Sequence, residues 1–178
     1  LLMAAARRVV EADRYVRTGQ WQTWGPSVLL GSDFVGATLG IVGYGRIGQA
    51  MARRAHGFDM RVIYYDPTAI PDPNDPALKV SFETLLHEAD FVSVHVPLSQ
   101  ATRHLIDANA FAQMKSTAVF INTARGPIVD QDALYVALKT GEIFAAALDV
   151  TDPEPLPMDS PLLELENLII APHIASAS

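Results

Sequence analysis

Four polar residues stand directly behind apolar runs. Arg125 follows "TAVFIN", Asp149 and Glu154 follow "FAAAL", and His173 follows "NLIIAP". Each has a plain alternative when taken alone: Arg125 as a solvated loop cation, Glu154 as a charge in a proline-rich turn, His173 as a surface ring. Together they form an acid–base set plus a cation, which hydride transfer to a carbonyl requires. Reduction leaves charge on the alkoxide oxygen, and a protonated His neutralises it by giving up its proton. A neighbouring carboxylate would hold the ring and favour its charged form. A guanidinium can grip an α-carboxylate through two parallel hydrogen bonds and so orient the carbonyl.

A hydride needs a carrier, and "GYGRIG" offers a place for one. Its glycines fall at Gly43, Gly45 and Gly48, with Arg46 and Ile47 completing the turn. Glycine-rich turns are common, but this one lies between an apolar strand pattern, "TLGIVG", and a helical one, "RIGQAMARRAHG". In that context Gly43 makes the tight turn, Gly45 lets backbone approach a pyrophosphate, and Gly48 allows close helix–strand packing. Seventeen residues separate Gly48 from Asp66, at the end of the next strand pattern, "MRVIYYD". A carboxylate there can accept hydrogen bonds from the adenosine ribose and would repel a 2′-phosphate, so NAD(H) is expected over NADP(H). The plainer reading keeps the glycines for a turn only and has Asp66 cap the loop before Pro67.

These residues need a scaffold that brings strand ends together. From the glycine turn onward, strand patterns alternate with helical ones: "LKV", a helix begun by Ser81, "DFVSVHV", a helix near "DANAFAQM", "TAVFIN", a helix begun by Asp130, "FAAALDV" and "NLII". Near-continuous apolar strands fit a parallel sheet buried on both faces. The expected fold is a single α/β domain, a Rossmann-type doubly wound sheet over residues 31–178. Residues 1–30 read as one amphipathic helix to Thr18, stopped by Gly19, and then an uncharged arm, "WQTWGPSVLLGS", too apolar to stay in water. Both ends look cut, as in a piece of a longer protein: Leu1 already lies in a helical pattern, and no element follows His173.

The 178 residues are 49% hydrophobic, ample for one core, and the net charge of −7 argues against a nucleic-acid partner. Arg7-Arg8 and Arg53-Arg54 read as solvated helix faces. Without cysteine there is neither disulfide nor thiolate chemistry, and the five scattered histidines have no metal-ligand spacing, so no metal is expected. No stretch reaches the roughly 18 apolar residues of a membrane span. A soluble, cytoplasmic protein is the expectation.

Five stretches carry a resemblance: "LGIVGYGRIGQAMARR", "VSVHVPLSQATRHLI", "AVFINTARGPIVDQDAL", "AALDVTDPEPLP" and "NLIIAPHIASAS". In order and spacing they resemble the D-isomer-specific 2-hydroxyacid dehydrogenase family, most of all its glyoxylate and hydroxypyruvate reductases. The resemblance implies that Arg125 binds the substrate carboxylate and carbonyl, and that Glu154 pairs with His173, the acid in reduction and base in oxidation. Asp149 would face the nicotinamide, beside His173 and the backbone of Thr123 and Ala124, while Val96 and Pro97 would line the adenine side and Thr102 contact the cofactor. It also implies a missing substrate domain, weak or absent turnover without it, and a homodimer formed through the first helix and the arm near Trp24. Tyr44 replaces a frequent apolar residue, and Asp59 stands where glycine is common. His56, His87, His95 and His104 read as surface or strand-edge residues. The same chemistry on a 3-phosphoglycerate, D-lactate or phosphite-type substrate, or an NADH-sensing binding protein, are the alternatives.

Overall fold

Hydrophobic runs too continuous for a one-sided sheet form the centre of the molecule, seen in a computed structural model that describes residues 1–176. In chain order the elements are α1 (Leu2–Ala6), α2 (Val9–Arg17), β1 (Thr38–Val42), α3 (Arg46–His56), β2 (Arg61–Tyr65), β3 (Leu78–Lys79) and α4 (Phe82–Glu88). They continue with β4 (Phe91–Val94), α5 (Ala108–Ala112), β5 (Val119–Asn122), α6 (Gln131–Thr140), β6 (Ala145–Leu148) and β7 (Leu168–Ile170). All strand pairs are parallel, in the order β3-β2-β1-β4-β5-β6-β7. The order reverses beside β1, so its carboxyl end and that of β4 flank the crevice where open α/β sheets bind ligands.

Side-chain alternation sorts the apolar residues onto two faces. Val42, Ile63, Val92, Phe120 and Ala146 meet α4, α5 and α6 on one. Ile41, Val62, Phe91, Ile121 and Ala147 meet α1 and α3 on the other. Helix starts follow the capping residues: the Ser81 hydroxyl accepts from Thr84 N, and the Asp130 carboxylate accepts from Asp132 N and Ala133 N. Such caps contribute about 1 kcal/mol each.

The expected single helix to Thr18 is two. Arg8 takes φ +50° between α1 and α2, and its guanidinium pairs with Glu11 at 2.6 Å. Arg8 is therefore a paired, half-buried turn residue, not part of a solvated face. Packing explains the break. Ser32 N donates to the Ala6 carbonyl, and a Cβ on Gly31 would lie 2.3 Å from that oxygen, so the returning arm ends α1 against the sheet. Asp59, in the position where glycine is common, has φ +55°, a region Asp tolerates better than most residues.

Candidate active site at the carboxyl edge of the sheet

The glycine turn links β1 to α3, and the surroundings of its three glycines differ. Gly43 has φ +96°, and a Cβ there would fall 2.7 Å from Val96 N; at Gly48 it would fall 2.2 Å from the Gly43 carbonyl oxygen. At Gly45 it would meet nothing within 4 Å. Two glycines thus let backbone close on backbone, and the third leaves an open approach. Helix α3 begins at Gly45 with no side-chain cap, and the N–H groups of Arg46 and Ile47 find no acceptor among the described residues. That is an anion cradle at the positive end of a helix, and it fits a dinucleotide pyrophosphate.

Asp66 stands one residue beyond β2. Its Oδ1 accepts from Thr68 N, the Thr68 hydroxyl and Ala69 N, and its Oδ2 accepts from Tyr44 N at 2.9 Å. Burial alone would raise its pKa, but these four bonds outweigh it and hold the carboxyl below the ordinary range. Asp66 therefore caps the loop through Oδ1, while Oδ2, with a single bond, is the less engaged of its two oxygens. Arg61, at the opposite end of β2, pairs with Glu88 at 2.7 Å and lies far from a 2′-phosphate position. Val96 backs the turn as described, while Pro97 is exposed. The Thr102 hydroxyl is engaged within its loop, donating to the Pro97 carbonyl at 2.6 Å and accepting from Ser99 N at 2.8 Å.

Beyond β6 and β7 the second cluster assembles. His173 Nδ1 lies 2.7 Å from Glu154 Oε1, both side chains being 43% exposed, and Nε2 has no hydrogen-bond partner among the described residues. His173 has φ +56°, a conformation that costs a non-glycine residue roughly 1–2 kcal/mol. Asp149, only 2% exposed, accepts from Ile174 N at 2.9 Å and Ala175 N at 2.7 Å, fixing the backbone just after the ring. Glu154 on the ring and Asp149 on the chain together hold the strained residue. Asp149 also borders two cavities. One of about 470 Å³ is lined by Glu154, Leu156, Ile170 and His173. The other, about 540 Å³, is lined by Thr123, His95, Phe34, Met51 and Ile174.

Arg125 is on the neighbouring strand exit and is exposed. Its guanidinium bonds back to the Ala124 carbonyl and reaches neither Glu154 nor His173 among the described residues. Three residues that sequence reasoning missed position it. The fully buried Asn122 accepts from Ala124 N and donates to the Arg125 carbonyl, both at 2.9 Å, clamping the turn. Gly126 allows it to press on the next strand exit, since a Cβ there would lie 1.9 Å from Thr151 O. Gln131 accepts from Asp152 N at 3.0 Å and donates to the Asp152 carbonyl, tying that exit to α6. An asparagine ending an otherwise apolar strand was the available signal.

A doubly wound sheet that opens its switch point onto a phosphate turn defines a dinucleotide-binding domain. Residues 1–175 match the family model described as "D-isomer specific 2-hydroxyacid dehydrogenase, NAD binding domain", and the chain belongs to that family. It is 58% identical to a glyoxylate reductase of Korarchaeum cryptofilum over 182 aligned residues, covering all of this chain and 54% of the relative. A crystal structure of a Thermus thermophilus protein superposes with TM-score 0.94 at 52% identity, covering 99% of this chain and 56% of that one. The NAD-complexed D-isomer specific 2-hydroxyacid dehydrogenase of Lactobacillus delbrueckii ssp. bulgaricus gives TM-score 0.89 at 33% identity, covering 99% and 57%. The chain thus spans about half the length of the curated relatives it matches. Its cofactor is NAD(H), and no helix among the described residues is long and apolar enough to cross a membrane.

Proposed function

We propose that this chain carries the cofactor and acid–base half of an NADH-dependent reductase for a small 2-keto acid of the glyoxylate or hydroxypyruvate type. The Glu154–His173 pair beside Asp149 carries the reading, because it presents one imidazole nitrogen, unbonded among the described residues, at the sheet edge where the cofactor cradle opens. Bound NADH supplies the hydride for the carbonyl carbon. His173 gives the Nε2 proton to the carbonyl oxygen as the C=O π bond breaks, and is left neutral. Glu154 steadies the ring through Nδ1, which fixes Nε2 as the working atom. Arg125, on a turn clamped by Asn122, grips the substrate carboxylate once its side chain leaves the Ala124 carbonyl. Thr123 and Asp149 border the nicotinamide end. The relatives' names support the substrate class, and their greater length supports a second domain that closes over the site.

In the full-length protein, His173→Gln should lower turnover by about 10²- to 10⁴-fold while NADH affinity falls far less. Stopped-flow reduction of glyoxylate and hydroxypyruvate, together with an NADH titration, separates the two quantities. Unchanged turnover sinks the acid assignment. Tight NADH binding with no turnover on any 2-keto acid, even in the unsubstituted protein, favours a sensor.

A further inference from the structure

The loop between Asp66 and Ala77 is fastened to the glycine turn through Tyr44. The ring is buried, 5% exposed, and stacks on Tyr64 with centroids 3.7 Å apart and planes 11° from parallel. Its hydroxyl donates to Asp75 Oδ2 at 2.7 Å, while its backbone N donates to Asp66 Oδ2 at 2.9 Å. Asp75 Oδ1 accepts from Ala77 N at 3.0 Å, so that carboxylate is fixed on both sides. One residue thus holds two acids: the ribose acid by its backbone and a second by its phenol, within one tyrosine length.

The second acid has no contact ion pair among the described residues, and neither has Asp66. Arg53 on α3 is near enough to act on the Tyr44 phenol but pairs with neither carboxylate, and Lys79 donates to the Ala69 carbonyl instead. Burial, and then the bond to Asp75, push the Tyr44 pKa well above its ordinary value, so the phenol remains a donor throughout the physiological range.

We propose that Tyr44 and Asp75 form a second determinant of coenzyme choice, in which the phenol holds the Asp75 charge at the rim of the ribose site and adds to the repulsion of a 2′-phosphate. The inference rests on the dinucleotide site and is independent of the substrate. Asp66 discriminates by contact; Asp75 acts through space. A phosphate monoester carries close to two negative charges at neutral pH. Interactions at this range are felt over about 30 Å at 0.01 M salt and about 3 Å at 1 M.

NADH and NADPH dissociation constants, read from tryptophan quenching or calorimetry at low and high salt, test it in the parent protein and three variants. Asp75→Asn should lower the preference for NADH by roughly three- to tenfold at low ionic strength, and by less than about twofold near 1 M salt. Tyr44→Phe frees the loop and should shift the ratio the same way. The double variant should add little, because both act as one unit. Asp66→Asn should produce the larger, less salt-sensitive change of a contacting group. An unchanged ratio in Asp75→Asn, or an equal and salt-independent loss of both coenzymes, overturns the proposal and leaves the pair a loop fastener. Failure of the parent protein to bind NADH would instead overturn the cofactor cradle itself, and the proposal with it.

Discussion

His95 follows β4 and turns its ring back, Nε2 lying 2.9 Å from the Ser93 hydroxyl in the wall of the larger cavity. Burial pulls its pKa down to about 4. The unfolded chain takes up a proton near pH 6.5, and the folded one resists until about pH 4. Between those values the unfolded state holds more protons, so acidification favours unfolding, by up to about 3 kcal/mol across the window. His95→Asn keeps a hydrogen-bonding group but removes the titration. Urea unfolding at about pH 7 and about pH 4.5 should show the parent protein losing more stability than the variant; equal losses would remove His95 as the source. The strand-edge reading of His95 missed this burial, although the parity was visible, since positions 91, 93 and 95 share a face. The place of Asp66 at a strand end was legible from its offset to the glycine turn, whereas the Glu154–His173 contact was implied by the family resemblance of "DPEP" and "PHIAS". Tyr44–Asp75 was not, because 31 residues separate the partners and nothing local marks the pair.

Helix α3 shows how much of an element a motif can specify. Gly45 has φ −75° and ψ −164°, which alanine adopts freely, and open space surrounds it. Gly45→Ala should therefore leave the unfolding midpoint nearly unchanged while placing a methyl in the pyrophosphate approach, weakening NADH binding by tenfold or more. Gly48→Ala sets two effects against each other. Helix propensity favours alanine by about 1 kcal/mol, but the methyl would fall 2.2 Å from the Gly43 carbonyl, and such overpacking costs typically about 1–3 kcal/mol. Both stability and binding should fall. Thermal unfolding and NADH titration of the two variants separate the roles, and loss of stability in Gly45→Ala would contradict the open approach. The strands and caps were equally legible, because apolar runs and Ser81 or Asp130 act locally. The break at Arg8 was not: its guanidinium also reaches the Leu30 carbonyl, 22 residues on, so the long-range return of the arm decides where α1 ends.

Across the whole molecule, one face of the sheet is closed by α4, α5 and α6, the other by α1, α3 and Phe34, whose ring stacks on Phe91. Exposed apolar side chains are scattered over the surface, but one group lies together on α2 and the arm: Trp24 is 79% exposed and Trp21 59%, and both line one hollow with Val16 and Val28. Isolated exposed apolar residues are ordinary, but two tryptophans beside a valine-bearing helix form a patch of the kind that marks an interface. Tryptophan side chains bury about 150–250 Å² each, so the pair alone could supply a substantial part of the roughly 800 Å² per partner of a standard interface. A second copy of this chain is the partner we propose, with the arm lying across the neighbour. Sedimentation over a range of concentrations should then give a dimer, and Trp24→Ala should raise its dissociation constant at least about tenfold, a loss of roughly 1.4 kcal/mol. The unfolding of the sheet should change little in the same variant, since the residue is 79% exposed. A monomer at the highest soluble concentration, or a dimer indifferent to both tryptophans, would mean that a different surface or a different protein covers the arm.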